Sequence, residues 1–425
     1  MAASQDVLVI GAGLAGIEAS LVLASAGRKV YLVEHRAHFG GSVVRSEEVF
    51  PELECATCMI APKQSDLMAH PNIVLMTLTE LVGLEGEAGG FRARLVRRAR
   101  FVSLENCIGC NACFEPCPVS VPNEFEEGLS ERKAISLPAA GMLPNAPAID
   151  MGCCLRAKGE ECTACRDACM FEAIVFEDKD ETVELDVGAV VVATGYRLGD
   201  GREFADFGMG RVGNVFGAFE FERLRASNGP TGGEILTREG EKPKKIGLIH
   251  CVGRDEKGYC SQVCCRYLAK FARYAFDKLP GAEVLEFVRE ISVPGKQSEK
   301  FFEATRSAGA SIIRASGLRV EGNDDHGVRI RYVEGGSEKS AEFDMAVLAP
   351  PMVPAEGTAE LAGLLGIETD EFGFFRTEGA EPAAATRPGV FVAGCGEGPK
   401  DMQSVVVQAQ AAASGVLMME SGQDG

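Results

Sequence analysis

Cys107, Cys110, Cys113 and Cys117, with Pro118 directly after the last, constrain this chain more than any other stretch of it. Thiols at i, i+3 and i+6 wrap a tight loop around one corner of an iron–sulfur cubane, and the fourth is released by a turn. A second run follows at Cys154, Cys162, Cys165 and Cys169. Zinc competes for such patterns, because paired CxxC units also build tetrahedral sites. The third in-register cysteine, the Cys-Pro ending and the repeated set favour iron–sulfur. The pattern predicts a chain that moves single electrons.

The two runs resemble those of two-cluster bacterial ferredoxins, and the resemblance implies two [4Fe–4S] clusters with crossed ligands. One takes Cys107, Cys110, Cys113 and Cys169; the other takes Cys154, Cys162, Cys165 and Cys117. Cys153 is an alternative to Cys154, and the gap from Cys154 to Cys162 is longer than the usual two residues.

A second signal lies near the N-terminus. Val7–Ile10 is a short apolar strand that runs into Gly11-Ala-Gly13-Leu-Ala-Gly16 and an alanine-rich helix to about residue 26; a second apolar strand, from Lys29 to Val33, ends at Glu34. This is βαβ with the dinucleotide fingerprint. Gly11 permits the tight turn, Gly13 lets backbone approach a pyrophosphate, and Gly16 lets helix and strand pack closely. The phosphates would sit at the helix N-terminus, and Glu34 would accept from ribose hydroxyls. FAD and NAD share this pattern, and three features choose FAD. Gly40 and Gly41 follow Glu34 as in flavoproteins. Val190 to Tyr196, containing Thr194 and Gly195, resembles the segment that returns a chain to its FAD domain. Gly389 to Cys395, containing Gly394, resembles the C-terminal FAD motif. Cys395 stands where that motif normally has Asp; it is either a ribityl-side contact or a small buried apolar residue.

The 425 residues suggest about two to three domains. The net charge of −19 argues against nucleic acid and anionic membrane surfaces as partners. No apolar run reaches the roughly 18 residues of a membrane span, and Met1 to Asp6 lacks a basic leader region. Sixteen cysteines without a secretion signal point to metal ligation in a reducing cytoplasm, not to disulfides. The expected class is α/β: a thioredoxin-reductase-like FAD domain, a second Rossmann-like unit and an inserted two-cluster ferredoxin domain. The boundaries read as FAD domain at 1–98, 179–239 and 348–425, ferredoxin insertion at 99–178, and second unit at 240–347. Ser404 to Met419 reads as a core helix beside the flavin.

In the second unit, Lys245 to His250 reads as a strand. The loop after it, where disulfide reductases carry a second glycine fingerprint for a nicotinamide nucleotide, holds Cys251, Cys260, Cys264 and Cys265 instead. Cys251 lies at a strand's carboxyl end, where α/β sheets place ligands. A third cluster is expected here, with Arg254 and Arg266 offsetting charge. The obstacle is that Cys264 and Cys265 project about 100° apart on a helix; a reactive or structural cysteine set is the other reading.

Further shared motifs are Cys55-Ala-Thr-Cys58 with Pro62-Lys63, Asn123 to Gly128, Pro230 to Gly233, and Ala393 to Asp401. With them the chain resembles the A subunits of heterodisulfide reductase and of the quinone-interacting membrane-bound oxidoreductase, over nearly its whole length. The resemblance implies an iron–sulfur flavoprotein subunit that relays electrons through FAD and [4Fe–4S] clusters; in the family's full-length members the flavin can split an electron pair between high- and low-potential acceptors. Its expected partners are other subunits of such a complex, a ferredoxin-type carrier, and a membrane only through a partner subunit. The family's long form has an extra N-terminal domain and a C-terminal ferredoxin domain; this chain starts at the FAD strand and stops after the last FAD helix, so it resembles the short form.

Cys55 and Cys58 admit three readings: a redox dithiol, cluster ligands for a neighbouring subunit, or a buried structural pair. His35 and His38 are expected on the adenosine side or in solvent, and His250 as a packed residue. The alternative function is an autonomous FAD-dependent dehydrogenase or thiol oxidoreductase, which the missing second fingerprint disfavours.

Overall fold

In the computed structural model, residues 4–323, 326–378 and 381–423 are described; Met1 to Ala3, part of the N-terminal stretch considered above, lie outside them. A five-stranded parallel sheet runs in the order Val390–Val392, Ala189–Val192, Val7–Ile10, Val30–Glu34, Ile73–Thr77. Val7–Ile10 and Ala189–Val192 are apolar at every position because both faces are covered. Val7 and Val9 point into a core closed by the helices Leu14–Ser25, Ala56–Ala69 and Met402–Gln423. Leu8 and Ile10 point to the opposite core, closed by the antiparallel strands Thr79–Glu85, Phe91–Arg97 and Glu181–Val187 and the helix Thr358–Leu365.

The plan repeats in a second parallel sheet, ordered Val215–Gly217, Met345–Leu348, Lys245–Ile249, Glu283–Val288, Ser311–Arg314. The helices Ala218–Arg225 and Cys264–Lys278 cover one face. A meander of Ser316–Gly322, Val328–Glu334 and Ser337–Phe343 covers the other. The two units are joined where Tyr196–Leu198 pairs antiparallel with Met352–Pro354.

The segment between Arg97 and Glu181 leaves the first unit from one strand of an antiparallel pair and returns on the next, and those two residues are themselves register partners. Asp178 and Asp180 close the neck: Asp178 Oδ2 accepts from Arg100 N at 2.9 Å and Phe101 N at 3.0 Å, and Asp180 Oδ1 accepts from Ala99 N at 2.9 Å. An insertion anchored this way does not disturb the sheet. Inside it are short strand pairs, the 3-10 turns Glu124–Glu126 and Leu155–Lys158 and the four-residue helix Ala164–Asp167, packed around Val102, Ile135, Ile149, Ile174 and its cysteines. No described helix is long and apolar enough to cross a membrane.

Candidate functional site

The carboxyl ends of Val7–Ile10, Ala189–Val192 and Val390–Val392 converge on one crevice, the position where open α/β sheets take ligands. Gly11 turns there at φ +101, and a Cβ on it would stand 2.5 Å from Ala193 O. Gly41, at φ +67, passes so close to Gly13 that a Cβ would lie 2.8 Å from the Gly13 Cα. Gly13 and Gly40 form a β-bridge, so the two loops meet backbone to backbone at the start of the helix Leu14–Ser25. Beside them the buried Thr194 hydroxyl has no hydrogen-bond partner within the protein. A side-chain-free cradle with an orphaned hydroxyl fits a dinucleotide pyrophosphate.

Glu34 is buried. Its carboxylate accepts from Ala12 N and Arg36 N, each at 3.0 Å. Burial raises its pKa, but His35 and these two amides together hold it below the usual range. Gly394, at φ +70, precedes Cys395, whose thiol is pushed up to about 11 by burial and lies 3.6 Å from Lys400 O. Cys395 is therefore a neutral, weak donor where an aspartate would be a charged acceptor.

The two cysteine runs of the insertion are brought together crosswise. Cys107, Cys110, Cys113 and Cys169 line one cavity; Cys117, Cys154, Cys162 and Cys165 line another. The crossing has a local cause: Val102 bridges Ile174, and Ser103 N donates to Ala173 O at 2.8 Å, laying the chain after Cys169 against the chain before Cys107. Among the described residues no three Cys, His, Asp or Glu side chains converge on a point suited to a single ion. The thiols surround a volume, which fits a polynuclear cluster better than a lone zinc. Burial pushes Cys113 up to about 12 and Cys165 up to about 11, with neighbouring thiols adding to both rises; ligation by a cationic centre is what would ionise them. Cys153 does not line the cavity. Its thiol lies 3.4 Å from the Asp150 carboxylate.

The third thiol group is less regular. Cys251, just beyond the strand Lys245–Ile249, adopts a left-handed φ of +58. Burial pushes Cys264 up to about 12; a hydrogen bond with Tyr267 opposes the rise, and Cys265, Cys260 and Cys251 add to it. Cys265 faces elsewhere. Ser292 N donates to its sulfur at 3.4 Å, and it adjoins His250, whose Nε2 is 2.9 Å from Glu286 Oε2. Cys260 and Cys251 lie within electrostatic reach of Cys264, while Cys265 is engaged with His250.

Two residues that the sequence did not flag connect these places. Tyr196 is half-buried, hydrogen-bonds Ser42 next to Gly41, and lies within electrostatic reach of Cys395 and Tyr267. The Tyr267 hydroxyl is sealed from solvent, without a nitrogen or oxygen partner, and rests against the Cys264 thiol. The only sequence signal for Tyr196 is its place after Thr194-Gly195. For Tyr267 it is the one-turn spacing from Cys264.

Two expectations are corrected. Cys55 and Cys58 form a disulfide, against the expectation of none, because a CxxC at the start of Ala56–Ala69 brings their Cα atoms to 5.2 Å. Both residues are exposed, so the pair is not buried. His38 does not stand in solvent: it is buried, with Nε2 3.1 Å from Ala146 O of the insertion, and burial followed by Arg100 lowers it to about 4. His35 is exposed beside Glu34, and His250 is buried as expected.

Residues 6–51 match the family described as FAD dependent oxidoreductase. Over 96% of its length the chain is 37% identical to the A subunit of the H(2):CoB-CoM heterodisulfide,ferredoxin reductase of Methanothermobacter marburgensis, covering 62% of that protein. It is 36% identical, again over 96%, to an iron-sulfur A subunit of the CoB--CoM heterodisulfide reductase of Methanopyrus kandleri, covering 63% of it. The chain thus spans a little under two thirds of the length of these curated relatives. Among solved structures, thioredoxin reductase of Lactococcus lactis superposes with a TM-score of 0.53 at 14% identity, covering 98% of this chain and 99% of that one, which is a likeness of fold.

Proposed function

The chain is an oxidoreductase of the heterodisulfide reductase A-subunit family, and from that premise we propose that it relays electrons through FAD and [4Fe–4S] clusters as one component of a larger redox complex. The observation that carries the reading is a pair of thiol quartets, each around its own cavity, in the chain that also holds a dinucleotide cradle. FAD exchanges electrons singly or in pairs, and a cluster exchanges them singly.

The residues divide the work. Gly11, Gly13, Gly16, Gly40 and Gly41 keep side chains out of the pyrophosphate path, and the helix Leu14–Ser25 turns its free N–H groups toward it. Glu34 accepts from ribose hydroxyls with the lone pairs that its two amide bonds leave. Thr194 and Gly195 line the phosphate side, and Gly394 and Cys395 the ribityl side, where Cys395 offers a thiol instead of a charge. Cys107, Cys110, Cys113 and Cys169 hold one cluster; Cys117, Cys154, Cys162 and Cys165 hold the other, within a ferredoxin domain spanning 99–178. Cys251, Cys260, Cys264 and Cys265 hold a third, for which Cys265 must turn from His250. Thiol groups in both the insertion and the second unit give the flavin two separate exits, the minimum for dividing an electron pair between acceptors. Other subunits and a ferredoxin-type carrier are the proposed partners.

A nicotinamide nucleotide is not the expected reductant. In the loop after Lys245–Ile249, a Cβ on Gly253 would lie 2.2 Å from the Phe204 ring, so that ring fills space over the loop. Anaerobic stopped-flow mixing with NADH or NADPH should leave the flavin oxidised over seconds; bleaching within milliseconds would support the autonomous dehydrogenase. Anaerobic analysis should give one FAD and about 12 iron atoms per chain, four per cubane. About eight would remove the third cluster, and none would overturn the relay.

A further inference from the structure

The mouth of the cavity ringed by Cys107, Cys110, Cys113 and Cys169 opens among large apolar side chains that stand in solvent. Met170 is 88% exposed, Ile108 59%, Leu104 52% and Phe171 41%. Ile108 and Phe171 form part of the cavity wall itself, and Cys110, which also lines it, is exposed. The Ser103–Ala173 hydrogen bond that crosses the two runs brings Leu104 and Glu105 alongside Phe171 and Glu172. Glu105, Glu172 and nearby Glu115 are exposed, and among the described residues no ion pair engages them. An apolar spot over a cluster site, bordered by uncompensated carboxylates, is the surface of an electron-transfer contact. Apolar atoms exclude water between the centres, and rim charge orients the encounter.

Resting on the relay reading above, we propose that this face docks a one-electron redox protein whose own contact surface is apolar and ringed by lysine or arginine. The sign of the rim selects that partner over an acidic carrier, which would meet like charge. One electron leaves the reduced cluster at each encounter and enters the partner's centre.

Ferric cytochrome c, a basic haem protein, is the probe. Chain reduced with dithionite and desalted anaerobically is mixed with it by stopped flow, and haem iron going from ferric to ferrous is followed. The second-order rate should fall with rising salt. Glu105→Lys/Glu172→Lys should slow it by about tenfold at low salt and flatten the salt dependence. Ile108→Ser/Met170→Ser should slow it at every salt concentration. Glu299→Lys/Glu303→Lys, the same charge change on the exposed side of the helix Lys296–Ser307, should leave it unchanged. Equal slowing by this control pair, or no slowing by the Glu105/Glu172 pair, would overturn the proposal. So would self-association of the chain that Met170→Glu abolishes, since a second copy would then be the occupant. Iron content and the cluster's EPR signal are read on every variant. Their absence in the unmodified chain would count against the relay reading; their presence with unaltered rates counts against the docking face alone.

Discussion

Gly13 and Gly16 sit three residues apart in one turn, yet a methyl group added to each meets different surroundings. On Gly16 it would stand 1.8 Å from Gly11 O, so the helix could not pack. On Gly13 it would meet only Gly41 Cα, at an ordinary 3.6 Å, and Gly13's φ of −80 suits any residue. Gly13→Ala should therefore fold with nearly unchanged thermal stability of the flavin-free protein, yet purify with less than about a tenth of the flavin, because the methyl occupies the pyrophosphate path. Full flavin occupancy in that variant would remove the site assignment. Adjacent cysteines allow a similar contrast. Cys154 lines a cavity and Cys153 faces Asp150. Cys154→Ala should lose one cluster's EPR signal and about four iron atoms, whereas Cys153→Ala should keep both; the reverse result would exchange their roles.

The helix Cys264–Lys278 begins on two adjacent cysteines. Its two leading thiols diverge, as adjacent helical positions require. The consequence is hidden from the sequence: one face of the first turn meets Tyr267 and, beyond it, Tyr196, while the other meets His250, which comes from the strand end before the loop and so is distant along the chain. The strands Val7–Ile10 and Val30–Glu34 and the glycine turn between them were legible because their periodicity and close approaches are local. The crossed quartets could be assigned only by likeness to known spacing, because the crossing is made by the Val102–Ile174 pairing, which no local pattern announces. If Cys264 ligates the third cluster, the Tyr267 phenol donates to its sulfur and favours the more negative, reduced state. Tyr267→Phe should then lower that cluster's midpoint potential and shift its EPR signal, with iron held at about 12 per chain. An unmoved potential at full iron content would remove Tyr267 from the electron path.

At the scale of the whole molecule, the insertion is attached by more than its neck. Leu143 packs on the first unit's core and Leu129 on the second's. Arg100 donates to Ala146 O within the insertion and to Thr77 of the first unit. A buried ion pair ties it as well. Glu126, in the turn Glu124–Glu126 capped by Asn123, receives Arg223 of the helix Ala218–Arg225 in two hydrogen bonds, at 2.8 and 3.0 Å, and both side chains are buried. Arg223 also lies over Phe125, 4.9 Å from its centroid. An insertion fixed in this way would hold any centres its thiols carry at one distance from the glycine cradle, whereas a tethered one would sample many. Glu126→Ala leaves a buried guanidinium with only neutral acceptors, the Arg45 and Asn228 carbonyls and the Asn228 amide. It should destabilise the assembled chain by about 3–5 kcal/mol. Glu126→Leu with Arg223→Met should recover much of that loss, because removing both charges removes the desolvation cost of each. Denaturant midpoints would measure the energies, and limited proteolysis would locate the damage, with new cleavage expected within 99–178 in Glu126→Ala. An unchanged midpoint and an uncut insertion in that variant would mean the domain is held by its apolar contacts and its neck, with the ion pair contributing nothing to its placement.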